Sequence, residues 1–206
     1  MINVSIHRDQ YLRMLDRHRP LWSALTEFVA ANGIVSVIEA GCGVAELWHA
    51  VDAYTGIDIN PKVLRDNELF YGKGDWRNDD WLAMDVNGLQ ADLFVSASLI
   101  EHCETYEPFL QKLVSMRLKY AVVTFHKGLR DKEVIRHQET DRRFFDNFYC
   151  RADVERWLTE NVDARWEIFT LPLSARMRSR RWDSVLVIDW TGTSNMGMWE
   201  KINVTS

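Results

Sequence analysis

Apolar residues recur at helical spacing between Arg8 and Ala31, where Tyr11, Leu12, Leu15, Trp22, Leu25, Phe28 and Val29 fall near one face. Asn32-Gly33 ends that run, and Pro20 is placed to divide it in two. Ile34–Glu39 then reads as a first strand, followed by a glycine turn and a short helix from about Val44. Ala53–Ile59 reads as a second strand, and Asn60-Pro61 opens a helix to about Phe70. Trp81–Met84 is predicted as a short third strand and Leu93–Ser98 as a fourth, the latter a continuous apolar run of the buried parallel kind. Glu107–Leu118 is helical, Tyr120–Phe125 is a fifth strand and Arg151–Glu160 is helical again. Trp166–Leu173 and Ser184–Trp190 close the pattern as two strands joined by a short connection.

Strand and helix alternate five times before that closing pair. Such alternation predicts an α/β fold, a doubly wound, mostly parallel sheet with right-handed crossovers. The final hairpin predicts seven strands in all, one of them antiparallel. No repeat, low-complexity tract or Pro/Gly-rich linker divides the chain, so residues 1–206 read as one domain. Within it, 1–33 is an N-terminal helical segment and 34–190 the core. The polar and charged stretch 127–149 looks like an inserted substrate cover, carrying Lys127, Arg130, His137, Arg142 and Arg143 beside Phe144, Phe145, Phe148 and Tyr149.

Composition changes the picture in three ways. A net charge of −5 argues against a generally basic nucleic-acid binder. Cys42, Cys103 and Cys150 are an odd set without a pairing pattern, which suits reduced thiols and a cytoplasmic protein. No run approaches the roughly 20 apolar residues of a membrane span, and Met1–Arg8 lacks a signal-peptide core.

The chemistry starts at Val37-Ile38-Glu39-Ala40-Gly41-Cys42-Gly43, a strand running into two glycines. Bare backbone at the carboxyl end of a buried strand is where open α/β sheets bind nucleotide-like ligands. A dinucleotide fingerprint would place a third glycine where Glu46 stands. That carboxylate, with Glu39 before the turn, repels a pyrophosphate, which needs positive potential at a helix start. The site suits a cation instead. S-adenosylmethionine carries a sulfonium and an ammonium and no phosphate.

Glu39-Ala40-Gly41-Cys42-Gly43-Val44-Ala45 resembles the first motif of the class I S-adenosylmethionine-dependent methyltransferases, with Ala45 in place of the usual third glycine. Thr55-Gly56-Ile57-Asp58-Ile59-Asn60 resembles the family's second strand, which implies that Asp58 holds the ribose hydroxyls and that Ile59 lines the site. Asp58 lies 17 residues after Gly41, near the spacing of about 20 for a ribose-binding acid. Ala83-Met84-Asp85-Val86 resembles the third-strand motif, implying that Asp85 meets the adenine amino group and the Val86 N–H meets the ring. Ala91–Ser96 resembles the fourth strand, placing Ser96 at the cofactor, and Leu99-Ile100-Glu101-His102 resembles a stretch common in small-molecule members. The resemblance covers about residues 34–190. The cofactor it implies is S-adenosyl-L-methionine, bound by Glu39, Gly41, Cys42, Gly43, Asp58, Ile59, Asp85, Val86 and Ser96. Glu39 is placed to reach the methionine ammonium or to act structurally.

Two histidines are candidates to take a proton from the acceptor: His102, after the fourth strand, and His126, after the fifth. In-line alignment alone can supply much of the barrier reduction, so a base is not obligatory. No metal-ligand cluster is visible. Cys103 lacks the preceding proline of a cytosine-C5 nucleophile, and residues 96–99 read Ser-Ala-Ser-Leu where amino-methylating DNA enzymes carry Asn/Asp-Pro-Pro-aromatic. The expected activity is methyl transfer to O or N of a small-molecule acceptor. Arg176, Arg178, Arg180 and Arg181 offer the alternative of an RNA or protein acceptor, with nucleic acid not favoured. A non-catalytic cofactor-binding scaffold is the third reading. The oligomeric state is not legible.

Overall fold

A computed structural model describes residues 18–72, 74–126, 128–135, 137–139, 143–172 and 182–202. Seven strands form one sheet: β1 (Ser36–Ala40), β2 (Ala53–Asp58), β3 (Asp75–Asn78), β4 (Leu93–Ser96), β5 (Tyr120–Phe125), β8 (Arg165–Pro172) and β9 (Trp182–Asp189). Their order is β3-β2-β1-β4-β5-β9-β8, and β6 (His137–Glu139) and β7 (Arg143–Phe145) make a separate hairpin. β9 alone runs against the sheet, pairing antiparallel with both β5 and β8. The expected doubly wound sheet with one antiparallel strand is therefore the observed one. β1 is hydrogen-bonded to β2 on one side and β4 on the other, so the connection reverses direction there and a crevice opens at their carboxyl ends.

Alternation along the strands sends side chains to two cores. Val37, Leu93, Val95, Val122, Val185 and Val187 face one side, under α1 (Arg19–Ala31) and α5 (Gly197–Ile202). Ile38, Phe94, Val123, Leu186 and Ile188 face the other, under α3 (Glu107–Ser115) and α4 (Arg151–Asn161). α1 starts at Arg19 with Pro20 in its first turn, where a missing N–H costs nothing, so the proline begins this helix. The rest of the expected N-terminal helix, residues 8–17, lies outside the described residues. α2 (Pro61–Tyr71) is capped by Asn60, whose side chain accepts from Lys62 N at 3.1 Å. No helix among the described residues is long and apolar enough to cross a membrane.

The third strand is a correction. Trp81–Met84, expected as a strand, is a turn, and the strand is Asp75–Asn78. Trp81 and Met84 are buried, but on the same side, as turn spacing allows and strand alternation does not. The Lys112 ammonium donates to the carbonyls of Trp81, Leu82 and Met84, so this backbone is satisfied by a side chain instead of a neighbouring strand. The real β3 is a polar edge strand that hides from an apolar pattern.

Gly56 on β2 shows how tightly this edge is packed. A Cβ there would sit 2.8 Å from the Trp76 ring and 3.0 Å from the Cys42 sulfur. Trp76 is itself wedged between Tyr54 and Tyr71. Gly56→Ala is expected to cost about 1–3 kcal/mol of stability, read as a lower urea midpoint at unchanged slope.

Candidate functional site

The turn after β1 is built on left-handed backbone. Gly41 has φ +71 and Gly43 φ +49, conformations that need no Cβ, and Ala45 follows at φ +55. Gly41 N and Cys42 N both donate to the Ile57 carbonyl, at 2.8 and 3.1 Å, which locks the turn against the end of β2. From α2, the Asn67 side-chain amide donates to Gly43 O at 2.7 Å and the Tyr71 hydroxyl to Val44 O at 2.9 Å. Asn67 and Tyr71 lie four residues apart, on one helix face. Sequence reasoning missed both; a polar residue on the inner face of an amphipathic helix was the available signal.

Asp58 ends β2 facing this turn. One carboxylate oxygen accepts from Gly43 N at 3.0 Å and the other from Asn60 N at 2.8 Å. Each oxygen keeps a second lone pair, so the carboxylate can accept two further hydrogen bonds, the number that a ribose diol offers. Burial raises its pKa, opposed by those two backbone donors. Asn60 Nδ2 and Ser96 Oγ are buried and without a hydrogen-bond partner among the described residues. These orphaned polar atoms, with the spare lone pairs of Asp58, fit a polar cofactor laid across the ends of β1, β2 and β4.

Glu39 is buried beneath the turn and accepts a hydrogen bond from the Tyr54 hydroxyl at 2.6 Å. Burial pushes its pKa up to about 8, with Glu46 and Asp58 adding to the rise and Tyr54 opposing it. The thiol of Cys42 is held well above its ordinary range by burial and by Asp58 and Glu39. Cys42 therefore contributes volume and backbone. Burial likewise pushes Cys103 up to about 12, which removes it as a nucleophile near neutrality. Ile59 follows Asp58 directly. Asp85 is exposed, and its carboxylate accepts from Asn87 N at 2.9 Å, an Asx turn. Val86 beside it is half-buried.

Beyond β4, Ile100–His102 forms a short 3-10 turn. The segment expected as a substrate cover is stitched onto this turn. Asn147 N donates to Glu101 O, the Asn147 amide donates to Cys103 O, and the Tyr149 hydroxyl lies within hydrogen-bond distance of Ile100 O. His102 is exposed, with Nδ1 2.7 Å from the Phe145 carbonyl at the end of β7. A carbonyl only accepts, so Nδ1 carries the proton in this contact. Glu101 is buried, and burial pushes its pKa up to about 7. It is a titratable group inside the Leu99-Ile100-Glu101-His102 stretch whose burial has no signature in the sequence.

His126 stands elsewhere. It follows β5 and lies 3.4 Å from a carboxylate oxygen of Asp183, which also has His18 at 3.1 Å. Burial would raise the pKa of Asp183, but the two imidazoles outweigh it and hold the acid at about 2. This grouping has no counterpart in the sequence reading. Of the cover segment, Lys127 and Arg142 lie outside the described residues, as does the whole Arg176–Arg181 cluster.

No protein-family model matches the chain. No curated protein matches it either. Solved structures do match. A S-adenosylmethionine-dependent methyltransferase from Clostridium acetobutylicum superposes with a TM-score of 0.61 at 11% identity, over 88% of this chain and 98% of that one. The 1,6-didemethyltoxoflavin-N1-methyltransferase of Burkholderia thailandensis, solved with bound 1,6-didemethyltoxoflavin and S-adenosylhomocysteine, gives 0.65 at 12% identity over 89% and 87%. The small RNA methyltransferase HEN1 gives 0.58 at 14% identity, over 86% of this chain and 26% of that one. These likenesses establish the class I, Rossmann-like methyltransferase fold.

Proposed function

We propose that this chain uses the methyltransferase fold for methyl transfer from S-adenosyl-L-methionine to O or N of a small-molecule acceptor. The observation that carries the reading is Asp58, a buried carboxylate clamped by Gly43 N and Asn60 N with two lone pairs to spare. The fold's likeness to methyltransferases solved with the demethylated cofactor supports it.

In this reading Asp58 holds the ribose hydroxyls, while Gly41, Cys42 and Gly43 supply the close backbone wall. Glu39 faces the cationic end. Ile59, Asp85 and Val86 border the adenine, and the Ser96 hydroxyl and Asn60 amide gain the partners they lack. When bound, the cofactor supplies an electrophilic methyl group on a sulfonium that leaves as a neutral sulfide. The protein's part is alignment and water exclusion. His102, held through Nδ1 against the Phe145 carbonyl, is the first candidate to receive the acceptor's proton. His126 is the second candidate.

An RNA or protein acceptor is the alternative. It draws on the Arg176–Arg181 cluster and on the structural likeness to a small RNA methyltransferase. One experiment separates them. Cell extract incubated with this protein and radiolabelled S-adenosylmethionine is expected to yield label in a small-molecule fraction. Label confined to RNA or protein would favour the alternative, and no transfer to any fraction would favour a non-catalytic scaffold.

A further inference from the structure

Three side chains from distant parts of the sequence meet at the carboxyl edge of β5. His18 directly precedes α1, His126 directly follows β5, and Asp183 is the second residue of β9. One ligand-type atom from each lies within 4.8 Å of the other two. The Nδ1 atoms of His18 and His126 approach opposite oxygens of the one carboxylate, at 3.1 and 3.4 Å. Among the described residues neither nitrogen meets the angular requirement of a good hydrogen bond, close as each stands to the carboxylate, and both atoms are buried. Close approach without alignment is costly for a simple hydrogen-bonded group. It is the expected arrangement for donors that converge on a shared ion.

The distances agree with that reading. Ligands about 2.1 Å from a metal are roughly 3.0 Å apart at octahedral angles and roughly 3.4 Å apart at tetrahedral ones. The two observed nitrogen–oxygen separations span this interval. The rings are 5.5 Å apart and tilted by 57°, so they flank the carboxylate without stacking. Two imidazoles and one carboxylate suit zinc or a neighbouring first-row ion, whereas calcium and magnesium prefer oxygen alone. The Asp183 side chain is buried, and His126 is 29% exposed, which leaves a path from solvent.

We propose that His18, His126 and Asp183 form a binding site for a divalent transition-metal ion, zinc being the ion that the donor set fits. Three protein ligands leave a fourth tetrahedral position for water, the pattern of reactive rather than purely structural zinc sites. The site is independent of whether the chain transfers methyl groups.

The test reads metal, not activity. The full chain, stripped with a chelator, is dialysed against zinc chloride, and bound zinc is measured per chain. One tightly bound zinc is expected, with a rise in thermal midpoint on loading. His126→Ala and His18→Ala are each expected to weaken binding by at least about 100-fold and to abolish that rise. His49→Ala, outside the cluster, is expected to bind as the parent does. Circular dichroism checks that each variant is folded; if His18→Ala is not, the partly exposed His126 carries the comparison. No bound zinc in the parent chain, or equal binding by the parent and His126→Ala, would overturn the proposal.

Discussion

Asp58→Ala is expected to lower affinity for S-adenosylmethionine and S-adenosylhomocysteine by about 100-fold or more. In the proposed reading the variant loses two hydrogen bonds from ribose hydroxyls to a buried carboxylate, at about 1.5–3 kcal/mol each, and each 1.4 kcal/mol is tenfold. The same change frees Gly43 N and Asn60 N from their shared acceptor, so the turn loosens as the contact disappears. Asp58→Asn should fall between, since an amide oxygen still accepts but its NH2 cannot receive the second backbone N–H. Titration calorimetry measures both. Wild-type affinity in the alanine variant would place the ribose elsewhere and remove the main support for the methyltransferase reading.

The second large effect is on pH. Glu39 has an ordinary pKa of 4.5 and stands near 8 in the folded chain, chiefly through burial. Its neighbours are the Tyr54 hydroxyl, which donates to it, the Cys42 thiol, and the Glu46 and Asp58 carboxylates. The folded state therefore holds a proton that the unfolded chain gives up. The resulting stability is complete below about 4.5, is lost as pH rises toward 8, and changes no further above that. At roughly 1.4 kcal/mol per pKa unit, the loss amounts to several kcal/mol. Glu39→Gln cannot ionise, so its urea midpoint should fall less than the wild type's between pH 5 and 8. Binding offers a second readout. A cofactor ammonium near Glu39 favours the carboxylate, so association at pH 7 should release a proton and tighten toward pH 8. Calorimetry in two buffers of different ionisation enthalpy detects that proton. Equal heats in both buffers for the wild type would show that Glu39 does not face the cation.

Much of this was legible in the chain, for identifiable reasons. β1, β2, β4 and β5 are apolar runs with sharp polar ends, and the glycine turn with Asp58 is a local pattern within 18 residues. β3 was misplaced because an edge strand of Asp-Trp-Arg-Asn carries no apolar signal, while buried Trp81 and Met84 carry a false one. The hairpin β6–β7 was hidden by a polar sequence, and the residue that ties the segment after it to residues 101–104, Asn147, carries no apolar signal either. His18, His126 and Asp183 could not be grouped beforehand. Their separations follow from the path of the sheet, and no spacing rule encodes them.

That last feature sets a timetable for the growing polypeptide. The residues assigned to the cofactor cradle are contributed by positions 39 to 96, so every one of them is added to the chain before His126 and Asp183. The histidine–aspartate cluster needs both its earliest partner, His18, and Asp183, which is added 165 residues later. During synthesis, then, the parts for holding an adenosyl group exist well before the parts for holding an ion. A nascent chain stalled before β9 is a species that has the first set of parts and lacks the second.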